Sequence, residues 1–284
     1  MTSFRGLWVA VVPLLLLTAA CARQGDAAGA ADGAAPTYGD DVPVLRIDYT
    51  GGFVTPETTV TRLPGVSVYG DGRVITPGPT TLMYPGPALP NIQVRTISAA
   101  EVTKLVEQAR AAGVGSAVDV GTPSITDVAT TRFTIRGPVG TEQLEVYALG
   151  EATGPQAGLT AAQQAARDKL RAFADKLTDP AGAATQPYQP TAIAAVARPW
   201  VATPETAKQA RVAWPGPALP GTSLGEGLDL GCVTVTGAAV QQVLDAAGKA
   251  NTATPWTSGG KRWSVTLRPL LPDETDCASL STTR

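Results

Sequence analysis

The chain has 284 residues, of which 44% are hydrophobic, 16% charged and 5% aromatic, with a net charge of −2. That balance leaves no basic footprint for nucleic acid. The absence of histidine removes Ser-His-Asp triads, HExxH metal sites and imidazole acid–base chemistry. With 30 glycines and 24 prolines, turns and loops are abundant.

The first twenty-one residues have the form of a signal. Arg5 supplies a short positive region, Leu7 to Leu17 an apolar stretch broken only by Pro13, and Thr18-Ala19-Ala20 a run of small residues before Cys21. The stretch is too short to span a bilayer stably and reads as a signal peptide over 1–20. Its end, Leu17-Thr18-Ala19-Ala20-Cys21, resembles the lipobox of bacterial lipoproteins, with Thr18 where leucine is commonest. The resemblance implies cleavage before Cys21 and a diacylglycerol on its sulfur, with palmitate-type acylation. The membrane is then the first partner, reached through Cys21, and the outer face of the cytoplasmic membrane the expected location. Residues 21–41 form the lipidated cysteine and its tether. Ala22 to Asp41 has almost no large apolar side chain, so burial there cannot offset the entropy of ordering. A flexible 20-residue coil reaches on the order of 25 Å. Arginine outnumbers lysine 16 to 6 and alanine is abundant, which suggests a GC-rich genome.

Residues 42–178 are expected to form a first α+β domain. Val44–Tyr49 has strand character. Val66–Tyr69 and Arg73–Ile75 flank Gly70-Asp71-Gly72, a hairpin signal. Ser98 with Glu101 makes a capping box, Gly113 a C-terminal stop, and Val102, Leu105, Val106 and Ala109 a helical apolar face. Arg132–Arg136 and Gln143–Leu149 flank a second turn. Thr160 and Gln163 open another helix with the stripe Ala166, Leu170, Phe173 and Leu177, closed by Asp179-Pro180. The expected order is β-β-α-β-β-α, an antiparallel sheet with helices on one face. Residues 179–191 read as a linker.

Residues 192–284 are expected to form a second, shorter α+β domain. Its strands are Ile193–Val196, Cys232–Val235 and Arg262–Arg268, with a helix near Thr236–Lys249. Cys232 and Cys277 are an even pair in an exported chain and predict a disulfide. A bridge over about 45 residues is worth roughly 4 kcal/mol in the chain-entropy model.

The two halves carry the same landmarks. Tyr84-Pro-Gly-Pro-Ala-Leu-Pro90 returns as Trp214-Pro-Gly-Pro-Ala-Leu-Pro220, Thr55-Pro-Glu-Thr58 as Thr203-Pro-Glu-Thr206, and Arg132-Phe-Thr-Ile135 as Arg262-Trp-Ser-Val265. The helix face 102, 105, 106, 109 is answered by Val240, Val243, Leu244 and Ala247. This order predicts two tandem related units. PGPALP reads either as a rigid loop with its aromatic packed on the sheet or as a display of Tyr84 and Trp214 to a partner. Trp200, Trp214, Trp256 and Trp263 are expected mainly in the core.

No catalytic constellation stands out. Ser258-Gly-Gly-Lys261 fits S-x-x-K but lacks the S-D-N and K-T-G elements that accompany it, and its glycines suit a turn. The carboxylate pairs Asp40/Asp41 and Asp273/Glu274 are expected on solvated surface. No metal or cofactor is implied. With Pro255-Trp256, Gly260-Lys-Arg-Trp263 and Arg268-Pro-Leu-Leu-Pro-Asp-Glu274 before Cys277, the YGDGRVI hairpin and PGPALP, the chain resembles uncharacterised envelope lipoproteins of actinobacteria. That resemblance implies an address without an activity. The expected function is a non-enzymatic binding or scaffolding module of the envelope, with an envelope protein or wall glycan as candidate partner. The alternative is a cell-wall hydrolase using carboxylates alone.

Overall fold

In the computed structural model the described residues are 38–137, 140–178 and 184–280. Cys21, the signal segment and most of the tether lie outside them. In chain order the elements are β1 (Pro43–Gly51), α1 (Pro56–Thr61), β2 (Val66–Tyr69), β3 (Arg73–Pro77), β4 (Ile92–Thr96), α2 (Ala99–Ala112), β5 (Ala129–Gly137), β6 (Gly140–Tyr147) and α3 (Ala161–Thr178). The second half continues with β7 (Gln186–Pro187), β8 (Ala192–Pro199), β9 (Val212–Ala213), β10 (Thr222–Ser223), β11 (Gly231–Thr236), α4 (Ala238–Ala247), β12 (Trp256–Ser258) and β13 (Lys261–Pro269). A 3-10 turn follows at Cys277–Leu280. The fold is α+β.

The first sheet has the order β6-β5-β1-β2-β3-β4-β7, all antiparallel. Strand alternation turns Leu45, Ile47, Phe133 and Ile135 to one face, where α2 and α3 cover them with Val102, Val106, Ala109, Leu170 and Phe173. Local signals set the helix ends. Ser98 and Glu101 make both hydrogen bonds of the capping box, and Gly113 takes φ +118° at the C-cap, where its N–H donates back to Ala109 and Arg110. Thr160 and Gln163 exchange bonds of 2.9 and 3.2 Å at the start of α3. In the β2–β3 turn, Gly72 has φ +88° and a Cβ there would lie 2.1 Å from the Ile97 carbonyl oxygen, so only glycine fits.

The second sheet has the order β10-β11-β8-β13-β12-β9, antiparallel except for β9 with β12. Central β8 is apolar and buried on both faces over residues 192–197, before the exposed Arg198 and Pro199. Ile193, Ala195 and Ala197 meet α4, together with Trp263, Val265 and Leu267 of β13. Ala194 and Val196 on the other face pack with Val60 of α1 and Leu270. The tryptophans follow the core expectation at three positions: Trp214, Trp256 and Trp263 are buried, and Trp214 meets Trp256 edge-on at 5.6 Å. Trp200 is half-buried beneath the Arg262 guanidinium, 4.5 Å from its ring centroid.

The described residues belong to one compact unit, and several contacts join the two sheets. β7, in the segment expected as a linker, pairs with β4 of the first sheet. Tyr188 donates its hydroxyl to the Leu270 carbonyl at 2.8 Å. Glu57 of α1 pairs with Arg198 of β8 at 2.9 Å. The Thr252 N–H donates to the Gly86 carbonyl at 2.9 Å, so the first PGPALP segment lies against the second half. The helix α1 and the short strands β4, β7, β9, β10 and β12 were not expected. Leu105 and Leu244 are half-buried rather than core; Val106 and Val243 take the inward positions.

Candidate functional site

The face of β1, β5 and β6 away from the helices is polar. Asp48 stands opposite Arg132, Arg46 opposite Thr134, and on the next strand Glu145, Gln143 and Thr141 face Arg132, Thr134 and Arg136. The C-terminal segment 273–279 folds back over these strands, and the two surfaces enclose a cleft of about 570 Å³. The Cys232–Cys277 disulfide fastens that segment to β11, as the cysteine count predicts.

Asp273 and Glu274 form the inner wall. Their placement corrects the expectation of solvated loop carboxylates, since the side chains are 20% and 6% exposed. Arg46 grips Asp273 bidentately at 2.6 and 2.9 Å, the Tyr69 hydroxyl donates to the same carboxylate at 2.6 Å, and Arg46 also donates to Ser67 at 3.0 Å. Burial alone raises the Asp273 carboxyl, but the Arg46 guanidinium and the Tyr69 hydroxyl outweigh it and hold it below the usual carboxylate range. Burial raises the Tyr69 phenol well above its ordinary value. Glu274 is likewise engaged: it accepts from Arg268 at 2.8 Å and from the Leu271 N–H at 2.7 Å. Asp276 accepts from the Ala278 N–H at 2.9 Å.

Asp48 differs from all of these. It is 7% exposed and lines the cleft, yet no donor among the described residues hydrogen-bonds to it. Burial is the largest influence on its carboxyl and raises it; Arg46 and Arg132 oppose this, while Asp273 and Glu274 add to it. Arg132 is committed to Glu145 at 2.7 Å. Arg136, at the other end of the cleft, is exposed and has no carboxylate partner among the described residues.

The candidate contacts Tyr84 and Trp214 do not come together as an exposed pair. Tyr84 is 73% exposed beside the exposed Leu82 and Met83. Trp214 is 8% exposed, with its indole N–H donating to the Pro217 carbonyl at 2.6 Å, and it offers little ring to a partner. The two repeated segments also differ in backbone: the cis peptide is Tyr84–Pro85 in one and Leu219–Pro220 in the other.

No family model, curated protein or solved structure matches the chain. Among the described residues, no helix is long and apolar enough to cross a membrane, and no group of three His, Cys, Asp or Glu side chains is placed to hold a metal ion.

The sequence reading missed the cleft. One signal was present: alternation along β1 and β5 puts Arg46, Asp48, Arg132, Thr134 and Arg136 on a single face. What covers that face is the segment 273–279, whose Asp273 is 227 positions from Arg46, beyond the reach of any periodicity.

Proposed function

We propose that this chain is an exported lipoprotein, held at the outer face of the cytoplasmic membrane by a lipid on Cys21, with a folded part that serves as a non-enzymatic binding or scaffolding module of the cell envelope. The lipobox-like end at Leu17–Cys21 and the apolar-poor tether support the anchor. A disulfide belongs to an oxidising compartment and fits export.

The observation that carries the binding role is Asp48. Its carboxylate faces the cleft with little exposure and no protein hydrogen bond, so a ligand donor would complete its shell. The other wall carboxylates are occupied by arginines and backbone N–H groups, so their work is to shape the cleft. The exposed tip Leu82-Met83-Tyr84 is a second surface for an envelope protein.

We further propose that the two halves derive from one duplicated unit. In each, a central strand (β1 or β8) has an antiparallel neighbour carrying the R-aromatic motif (β5 or β13), and one helix (α2 or α4) covers both. Removing the β2–β3 hairpin from the first sheet brings β4 beside β1, antiparallel to it, as β11 lies beside β8.

One observation favours a hydrolase instead: Asp48 and Asp273 share the cleft with their carboxyls shifted in opposite directions, the pattern of an acid–base pair. Against it, both Asp273 oxygens are tied to Arg46.

The anchor is tested by Cys21→Ser. Loss of fatty-acid labelling and release from the membrane fraction are expected. A variant that stays with membranes to the wild-type extent overturns the lipoprotein reading.

A further inference from the structure

Resting on the binding-module reading, the geometry of the cleft specifies a ligand class. Two groups in it lack partners. Asp48 is nine-tenths buried at one end, with no hydrogen bond. Arg136 is exposed at the other, with no ion pair among the described residues. Asp48 pairs in register with Arg132, and Arg136 is four residues further along β5. At a rise of about 3.4 Å per residue the two poles are therefore about 14 Å apart. Between them lie Arg46, Thr134 and Gln143, with Gln143 donating to Thr134 at 3.4 Å, and Thr141 stands level with Arg136. The floor thus carries Asp48 beside the engaged Arg132 at one end, the engaged Arg46 with Thr134 and Gln143 along its length, and the unengaged Arg136 at the other end.

We propose that the cleft binds a short extended peptide, its free amine on Asp48 and its carboxylate on Arg136. Arg46 and Arg132 offset only part of the cost of burying the Asp48 charge, so an ammonium, which brings both a donor and a charge, suits it better than a neutral donor. Arg46 and Arg132 act on Asp48 through their charge alone, because their hydrogen bonds go to Asp273 and Glu145. An extended chain of about four residues spans 13–14 Å, the distance between the poles. Its amides would face the Thr and Gln row. The volume of about 570 Å³ is within the range of small-ligand sites.

The test uses the detergent-solubilised full chain and calorimetric titration with tetra-alanine, its N-acetylated form and its C-amidated form. Tetra-alanine is expected to bind. Acetylation and Asp48→Asn should each weaken binding by about tenfold or more, the loss of one charge-assisted hydrogen bond. Acetylation should cost Asp48→Asn nothing further. Amidation and Arg136→Gln should behave as the matching pair. Asp48→Asn should also raise the melting temperature of the unliganded protein, because it removes an unpaired buried charge; a residue kept for structure would lower it. Equal binding of free and acetylated peptide, or binding untouched by Asp48→Asn, overturns the proposal. Binding of a tetramer of β-1,4-linked N-acetylglucosamine in place of the peptide overturns it while leaving the binding-module reading standing. Binding of neither probe overturns the peptide proposal and removes the cleft's support for that reading, but leaves the membrane anchor to its own test at Cys21.

Discussion

Arg46 and Asp273 are 227 residues apart and joined by two hydrogen bonds of 2.6 and 2.9 Å. The pair ties the first strand of the fold to the segment that closes the cleft. Both side chains are largely withdrawn from water, so removing one partner leaves a poorly solvated charge. Asp273→Ala should destabilise the protein toward the lower end of the about 3–5 kcal/mol that breaking a buried pair costs. Urea unfolding checks this, and a change within experimental error would remove the pair from the account of the fold.

The two aspartates of the cleft set opposite pH trends. The Asp273 carboxyl is held low, so its contribution is present above the ordinary value of 3.8 and is lost as pH falls through the lower folded value. The Asp48 carboxyl is held high, so the folded state keeps that proton longer. Its contribution declines as pH rises from 3.8 through the higher folded value. Unfolding free energies from about pH 3 to about pH 7 should therefore show Asp48→Asn gaining on wild type as pH rises, and Asp273→Asn losing ground over the same range.

The disulfide acts on both stability and the cleft. A loop closed over 45 residues is worth about 4 kcal/mol in the chain-entropy model. Cys277 is also the neighbour of Asp276 on the cleft wall. Native thiol titration should find no free thiol at Cys232 or Cys277 until reduction. Cys232→Ser with Cys277→Ser should lower stability and speed hydrogen exchange across 273–279 more than across β5.

Arg167 is fully buried in α3 and has no ion pair among the described residues. Its guanidinium donates to the carbonyls of Val120, Tyr147 and Ala148 at 3.1, 2.6 and 2.6 Å. Each buried carbonyl that loses its donor costs about 1–3 kcal/mol. Arg167→Met should therefore destabilise by at least about 2 kcal/mol, and Arg167→Lys should recover only part, because an ammonium lacks the planar fork. Thermal melts of the two variants decide it.

Core truncations should separate by burial. Leu170 is fully buried, and Leu170→Ala should cost about 2–5 kcal/mol. Leu105→Ala and Leu244→Ala should cost clearly less, since both are half-buried. Equal losses at all three positions would mean that α2 and α4 are packed more deeply than the structure has them.

Much of the fold was legible because it is locally encoded. The Ser98 and Thr160 capping boxes, the Gly70–Gly72 turn and the apolar stripes of α2 to α4 rest on residues within a few positions of one another. Two errors share that origin. Ala166 was placed on the α3 stripe, but Arg167 takes the buried position because carbonyls from distant loops receive it. Short β7, β9, β10 and β12 have two or three residues each, too few to show alternation. The cleft was illegible for a stronger reason. Asp273 and Glu274 read as loop carboxylates until the C-terminal segment is laid across β1, and only a contact spanning most of the chain does that.

The central claim is that the cleft is the working surface of the folded part. It is tested most directly by placing a photocrosslinking side chain at Thr141, in the cleft, or at Lys104, exposed on α2, and irradiating intact cells. The account predicts an adduct of peptide-bearing envelope material from position 141 that is lost when Asp48→Asn is added, with none from position 104. An adduct from 104 and not from 141, or one at 141 indifferent to Asp48→Asn, would contradict it.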